Sequence, residues 1–189
     1  MALRAPVYAG NITNLSDARY FAGMGVQWLG FQIDPNQTSY LNPQKFREIV
    51  GWVTGPALVL EPQPNISTND LTQLAGDYGI DLLRLLPQAA YAGPCGYYLD
   101  SPMTSPSVQS SAFIIIDPGT TEPVEIFYDL IESCLQATPI FVRAKSIANA
   151  QQLLDRFPSI GFYVSGSQEV KPGIADYDYR ELLEYLDAD

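Results

Sequence analysis

The sequence contains no histidine in 189 residues. The commonest general base and the commonest metal ligand among side chains are therefore missing. Histidine-dependent hydrolase triads and zinc sites built on histidine are set aside on that ground. Cysteine is nearly as scarce. Cys95 and Cys134 stand alone and form neither a metal-type pair nor a disulfide framework, which suits a reducing compartment. Basic residues are few, 10 Lys and Arg against 21 Asp and Glu, giving a formal net charge of −11. That sign argues against nucleic acid and against an anionic membrane surface as partners. It also opposes a phosphorylated substrate, unless a local basic pocket overrides the summed field. No run approaches the ~20 apolar residues of a membrane span. The opening segment, MALRAPVYAG, has no apolar stretch of the kind a secretory signal needs, so a cytoplasmic location is the expectation.

What is present is enough for a core: 47% of residues are hydrophobic and 16% charged. The length fits one domain over residues 1–189, or a barrel at the short end of its range. Short apolar runs recur at 7–10, 28–33, 57–60, 82–86, 96–99, 112–116, 139–142 and 160–164. Nearly all their residues are apolar, as in parallel strands buried on both faces. Helical patterns lie between several of them. One runs from Leu15 to Met24. A second opens with Asn42 as cap and Pro43 at the first helical position. A third runs from Ser67 to Tyr78 and stops at Gly79. A fourth carries Val124, Phe127, Ile131 and Leu135, a fifth follows Ser146, and the last holds Leu182, Leu183 and Leu186.

Strand–helix alternation of this kind predicts an α/β fold with a parallel sheet. Eight strands permit a closed (β/α)8 TIM barrel, although periodicity alone is equally compatible with an open, doubly wound sheet. Residues 87–95 separate strands four and five, and residues 100–111 separate five and six. Neither segment has a helical stripe, and a full crossover needs at least ~10–12 residues. The helices after strands four and five are therefore expected to be shortened or missing. Outward apolar side chains of strands five and six would then lack cover. A patch of several hundred Å² is unusual on a monomer, so either the Pro-rich loop Asp100–Ser111 folds back over it or a second chain covers it, and a two-fold homodimer on that flank is the favoured expectation.

Several segments carry a family resemblance. Ile12-Thr13-Asn14-Leu15-Ser16-Asp17-Ala18 resembles the opening of the phosphoribosylanthranilate isomerases, where a K-I-C-G-I-T motif ends strand one. Gly25-Val26-Gln27-Trp28-Leu29-Gly30-Phe31 is similar to that family's G-A-D-x-I-G-F, and Ser39-Tyr40-Leu41-Asn42-Pro43-Gln44 to its R-Y-V-S-P-E. Asp81-Leu82-Leu83-Arg84-Leu85-Leu86 stands where the family has D-x-V-Q-L-H. Gly161 to Glu169 follows G-V-D-V-S-S-G-V-E, and Pro172 to Asp176 follows P-G-x-K-D. The resemblance runs in order from Val7 to Asp176 and selects the barrel over the open sheet.

The resemblance implies an Amadori rearrangement in tryptophan biosynthesis. A general base and a general acid work on opposite sides of an aminoaldose phosphate. In the family the base is the strand-one cysteine and the acid an aspartate ending strand six. Here the cysteine position falls on Gly10, or on Ala9 if one residue is inserted, and neither can take a proton. The motif lysine becomes Tyr8, the substrate-holding arginine becomes Ser39, and the strand-seven A-G-G becomes Arg143-Ala144-Lys145. The G-G-T-G loop after strand six shrinks to Gly119-Thr120, and the aspartate is kept as Asp117. Losing a general base alone costs ~10²–10⁴ in rate. The resemblance therefore implies a catalytically degenerate isomerase-like barrel, a pseudoenzyme acting as a ligand- or partner-binding protein. The alternative is an enzyme, with residual isomerase activity or new chemistry.

Asp117 reads either as a surviving general acid or as a structural carboxylate paired with Arg143. The second is favoured, because an acid without its base performs no isomerisation. Gly119, Lys145 and the turn Ser165-Gly166-Ser167 read either as the holders of a small phosphorylated ligand, at the standard anion site of such barrels, or as a salt bridge plus an ordinary turn. Asp34, Glu61, Asp100 and Asp117 each follow a strand and would share one rim. They could hold Mg²⁺ or Mn²⁺ or simply face solvent. With no spacing motif for a metal, the solvated rim is favoured, and no cofactor is expected.

Overall fold

The computed structural model describes residues 3–64, 66–102, 111–119, 122–166, 169–171, 174–175 and 178–187. Eight parallel strands close on themselves in sequence order. They are β1 (Val7–Ile12), β2 (Trp28–Gln32), β3 (Ala57–Glu61), β4 (Leu83–Leu85), β5 (Cys95–Leu99), β6 (Ile114–Ile116), β7 (Ile140–Val142) and β8 (Gly161–Ser165). The expected α/β barrel is met, strand for strand. An antiparallel hairpin of β9 (Glu169–Lys171) and β10 (Ile174–Ala175), which periodicity did not suggest, follows the last barrel strand.

The outer helices are α1 (Leu15–Gly23), α2 (Pro43–Val50), α3 (Thr68–Tyr78), α4 (Tyr128–Cys134) entered through a 3-10 turn at Val124–Phe127, α5 (Ile147–Arg156) and α6 (Asp178–Leu186). Four start on a side-chain cap. Asn14, Asn42, Ser67 and Ser146 each accept the N–H three residues ahead, which satisfies one of the donors a helix leaves free at its start. The helix α3 ends at Gly79, whose φ of 70° suits a residue without a Cβ. No helix lies between β4 and β5, and the described residues between β5 and β6 hold none either.

The strands sort their side chains by parity. Val7, Ala9, Leu29, Phe31, Leu60, Leu83, Leu85, Ile114, Ile116, Val142 and Phe162 belong to the main core, which also takes in the helix residues. Tyr8, Val59, Phe113, Ile115, Phe141 and Tyr163 form a second cluster inside the barrel, with Trp28, Leu82 and Tyr98 against it. The interior is thus a packed aromatic column, as small barrels require. The Tyr8 and Phe113 rings lie 5.4 Å apart, and those of Trp28 and Phe113 5.2 Å. Glycines face the largest of these rings: a Cβ on Gly96 would sit 2.4 Å from the Phe113 ring, and one on Gly161 2.6 Å from that of Phe141.

The flank between strands four and six corrects an expectation. Tyr97 and Leu99 are 5% and 2% exposed, and Ile114 and Ile116 are fully buried within a single chain. Ala89 and Tyr91 of the β4–β5 connection pack on the core, and Thr68 Oγ1 ties that connection down through the Ala90 carbonyl at 2.8 Å. Among the described residues the large exposed hydrophobics are Trp52 and Ile126, neither on these strands. The two-fold dimer therefore loses the open apolar patch from which it was argued. No helix among the described residues is long and apolar enough to cross a membrane.

Candidate active site at the barrel mouth

In a barrel of this kind the C-terminal ends of the strands meet at one mouth, where sites are built. Seven strands supply it here: Gly10 from β1, Glu61 from β3, Arg84 from β4, Tyr98 from β5, Asp117 just past β6, Arg143 just past β7, and Tyr163 and Ser165 from β8. Two buried carboxylates organise it. Glu61 is fully buried and accepts the Tyr8 hydroxyl at 2.9 Å and the Asn11 N–H at 2.8 Å, with Arg84 Nη2 at 3.5 Å. Asp117 accepts the Tyr98 hydroxyl at 2.6 Å, Arg143 Nε at 2.7 Å and the Gly119 N–H at 3.2 Å. A buried charge survives only when it is paired and hydrogen-bonded, and both carboxylates meet that condition. The rings join the two pairs. The Arg84 guanidinium lies 5.1 Å over Tyr98, that of Arg143 4.8 Å over Tyr163, and the two tyrosine rings stand edge to face at 6.0 Å.

Of the two positions aligned with the cysteine, Ala9 faces the helices and Gly10 faces the interior. A bulge explains the ambiguity. Ala9 pairs with Leu29 and Ile12 with Phe31, so β1 carries one extra residue there. Asn11 takes it up at a φ of 55°, a left-handed conformation that asparagine tolerates better than most residues. The bulge turns the Asn11 N–H toward Glu61. No space remains at Gly10: a Cβ built there would lie 2.7 Å from Tyr163 Cε2 and 2.8 Å from Glu61 Oε1. At Gly30, on β2, the same construction meets Glu61 Oε1 at 2.0 Å and the Tyr8 hydroxyl at 2.4 Å. Glu61, Tyr8 and Tyr163 thus fill the interior beside Gly10 and Gly30.

The other expected site residues fall as follows. Gly119 gives its N–H to Asp117, and Gly166 gives its N–H to the Gly10 carbonyl at 2.7 Å. Lys145 donates from Nζ to the Glu122 carbonyl, and Ser165 Oγ to the Gly166 carbonyl at 3.4 Å. Ser167 lies outside the described residues. The four rim carboxylates do not gather. Glu61 is inside, Asp117 is paired with Arg143, Asp34 accepts from Asn36 in its own turn, and Asp100 is exposed beside Ser101. Among the described residues no three carboxylates or cysteines come together as a metal would require. The solvated-rim reading is therefore wrong for Glu61, which the strand carries inward, and for Asp34 and Asp117, which are buried as well; it holds for Asp100.

Burial, and for Tyr8 and Tyr98 the neighbouring carboxylates next, push the hydroxyls of Tyr8, Tyr98 and Tyr163 above the ordinary tyrosine range. Arg84 is held charged: burial opposes its charge, but Glu61 and the surrounding tyrosine oxygens outweigh that. The tyrosine shifts fix a sign. Below the unfolded value of about 10 both states hold their protons, and the contribution to stability is complete. Above it the unfolded chain ionises first, so stability falls as pH rises toward the folded values. An alkaline titration should show tyrosinate absorbance from these three residues only together with the loss of circular dichroism. Ionisation of all twelve tyrosines with the fold intact would contradict the packing described here.

No family model matches the chain, and no curated protein matches it in sequence. Solved structures do match its backbone. Phosphoribosylanthranilate isomerase from Thermus thermophilus superposes with a TM-score of 0.71 at 16% identity, over 96% of this chain and 98% of the other. Monomers made from the dimeric phosphoribosylanthranilate isomerase of Thermotoga maritima match with a TM-score of 0.67 at 16% identity, over 95% and 96%. The N-(5'-phosphoribosyl)anthranilate isomerase of Pyrococcus furiosus gives 0.64 at 13% identity, over 95% and 97%. At such identities the likeness establishes the fold, and chemistry has to be argued from the site.

Proposed function

We propose that this chain is a catalytically silent relative of the phosphoribosylanthranilate isomerases that acts by binding a ligand or partner at or around its barrel mouth. One observation carries the reading. The inward position aligned with the family's general base is Gly10, and the space its side chain would need is filled by Glu61 and Tyr163. The aligned general acid, Asp117, supports the same reading from the other side of the mouth. It is engaged by Tyr98, Arg143 and Gly119. The near-complete coverage of the isomerase chains supports the family relation, and the motif order along the sequence agrees with it.

The test is complementation of a tryptophan auxotroph lacking the isomerase. With soluble expression verified, the chain should give no growth without tryptophan. The purified protein should show no turnover above the uncatalysed rate. Growth would overturn the reading and restore the alternative of residual isomerase activity.

A further inference from the structure

The two ion pairs at the mouth are asymmetric. Their carboxylates lie beneath: the Glu61 side chain is 0% exposed and that of Asp117 11%. Their guanidiniums lie above, Arg84 at 19% and Arg143 at 38%. The two pairs therefore turn their cationic ends outward, in a chain whose net charge is −11. Both arginines also keep donors in hand. Arg143 gives only Nε to Asp117, and its two terminal amino groups bond no described residue. Arg84 meets Glu61 at 3.5 Å through Nη2 and makes no other polar contact to a described residue. Each guanidinium is held in place by a carboxylate and an aromatic ring, so little side-chain freedom remains to be lost when a ligand arrives.

We infer that the mouth binds a small oxyanion, a carboxylate or phosphate group, between the guanidiniums of Arg84 and Arg143. This deepens the proposal above and rests on its reading of the mouth as a place of binding. The planar guanidinium fork matches either group through paired hydrogen bonds. Glu61, Tyr8 and Tyr163 fill the space beside Gly10 and Gly30, so the anion would sit at the guanidiniums rather than deeper in the barrel. The Gly119 and Gly166 N–H groups are engaged by Asp117 and by the Gly10 carbonyl. The arginines, rather than a backbone cradle, do the holding.

The experiment is a melting curve of the full chain in inorganic phosphate and, separately, in malonate, each against sodium chloride at matched ionic strength. At about ten times Kd the anion should raise Tm by roughly 3–5 °C over the chloride control. Arg143→Gln should abolish the rise. It leaves Asp117 with the Tyr98 hydroxyl and the Gly119 N–H, so the fold has support without it. Arg143→Lys keeps the charge but not the fork and should weaken binding about tenfold, which reads the same contact if the glutamine variant melts too early. A response to malonate alone assigns a carboxylate ligand, to phosphate alone a phosphorylated one, and to both the shared chemistry. No response to either, or one undiminished in both Arg143 variants, overturns the inference. Isomerase complementation is independent of this outcome: a chain that binds anions yet supports growth refutes catalytic silence alone.

Discussion

Replacing Glu61 with leucine should destabilise the protein by about 3 kcal/mol, near the low end for breaking a buried pair by removing one partner. The change leaves three groups without their acceptor at once: the Arg84 guanidinium, the Tyr8 hydroxyl and the Asn11 N–H. The low end is chosen because Arg84 keeps some access to water. For a domain of this length a loss of that size lowers Tm by roughly 6–12 °C. Removing both charges, as Glu61→Leu with Arg84→Met, should recover part of it, since the uncompensated buried cation is the largest single cost. A double-mutant cycle read from urea midpoints checks this. A single variant within about 1 kcal/mol of the parent, or a double variant that loses the sum of the singles, would show that the pair does not organise the mouth.

Placing a cysteine where the resemblance puts the isomerases' general base, Gly10→Cys, should give no isomerase activity and a less stable protein. The new Cβ has to displace Tyr163, which is 4% exposed and packed against the rings of Tyr8 and Tyr98. Overpacking of this kind costs about 1–3 kcal/mol, and the upper end applies because Glu61 stands on the other side, 2.8 Å away. A second change that shortens the obstructing ring, Tyr163→Leu, should return part of the stability. Thermal melts of the three variants beside an isomerase assay decide it. Activity in Gly10→Cys alone would mean that the mouth opens readily and that its filling is not what silences it.

The barrel was legible in the sequence because parallel strands covered on both faces announce themselves as short apolar runs. The four N-caps and Gly79 mark helix ends with local chemistry that needs no tertiary context. The mouth was less legible for the same reason that the strands were plain. In Leu82-Leu83-Arg84-Leu85-Leu86, apolar on both faces, alternation says that Arg84 shares a face with Leu82 but not which face is inside. Glu61 has the same parity as Val59, and knowing that Val59 is interior would have sent Glu61 inward too. The extra residue in β1 left Gly10 and Ala9 equivalent until pairing with β2 placed the bulge at Asn11. The flank beside β5 misled because short connections without a helical stripe read as bare, whereas Ala89 and Tyr91 of one such connection pack on the core and the strand side chains are buried.

The glycines at 10 and 30 also impose a direction on mutational history. Glu61, Tyr8 and Tyr163 fit only while both positions lack a Cβ, and a Cβ fits at either only after those side chains have moved or gone. Each half of the arrangement bars single-step reversal of the other. A lineage with this packing meets the overpacking cost argued above when one codon change adds a side chain at position 10. A path that vacates the interior first carries instead the stability loss argued above for Glu61. The packing acts as a ratchet: substitutions at Arg84 and Arg143 do not meet it, while a side chain at position 10 of β1 is opposed at each single step.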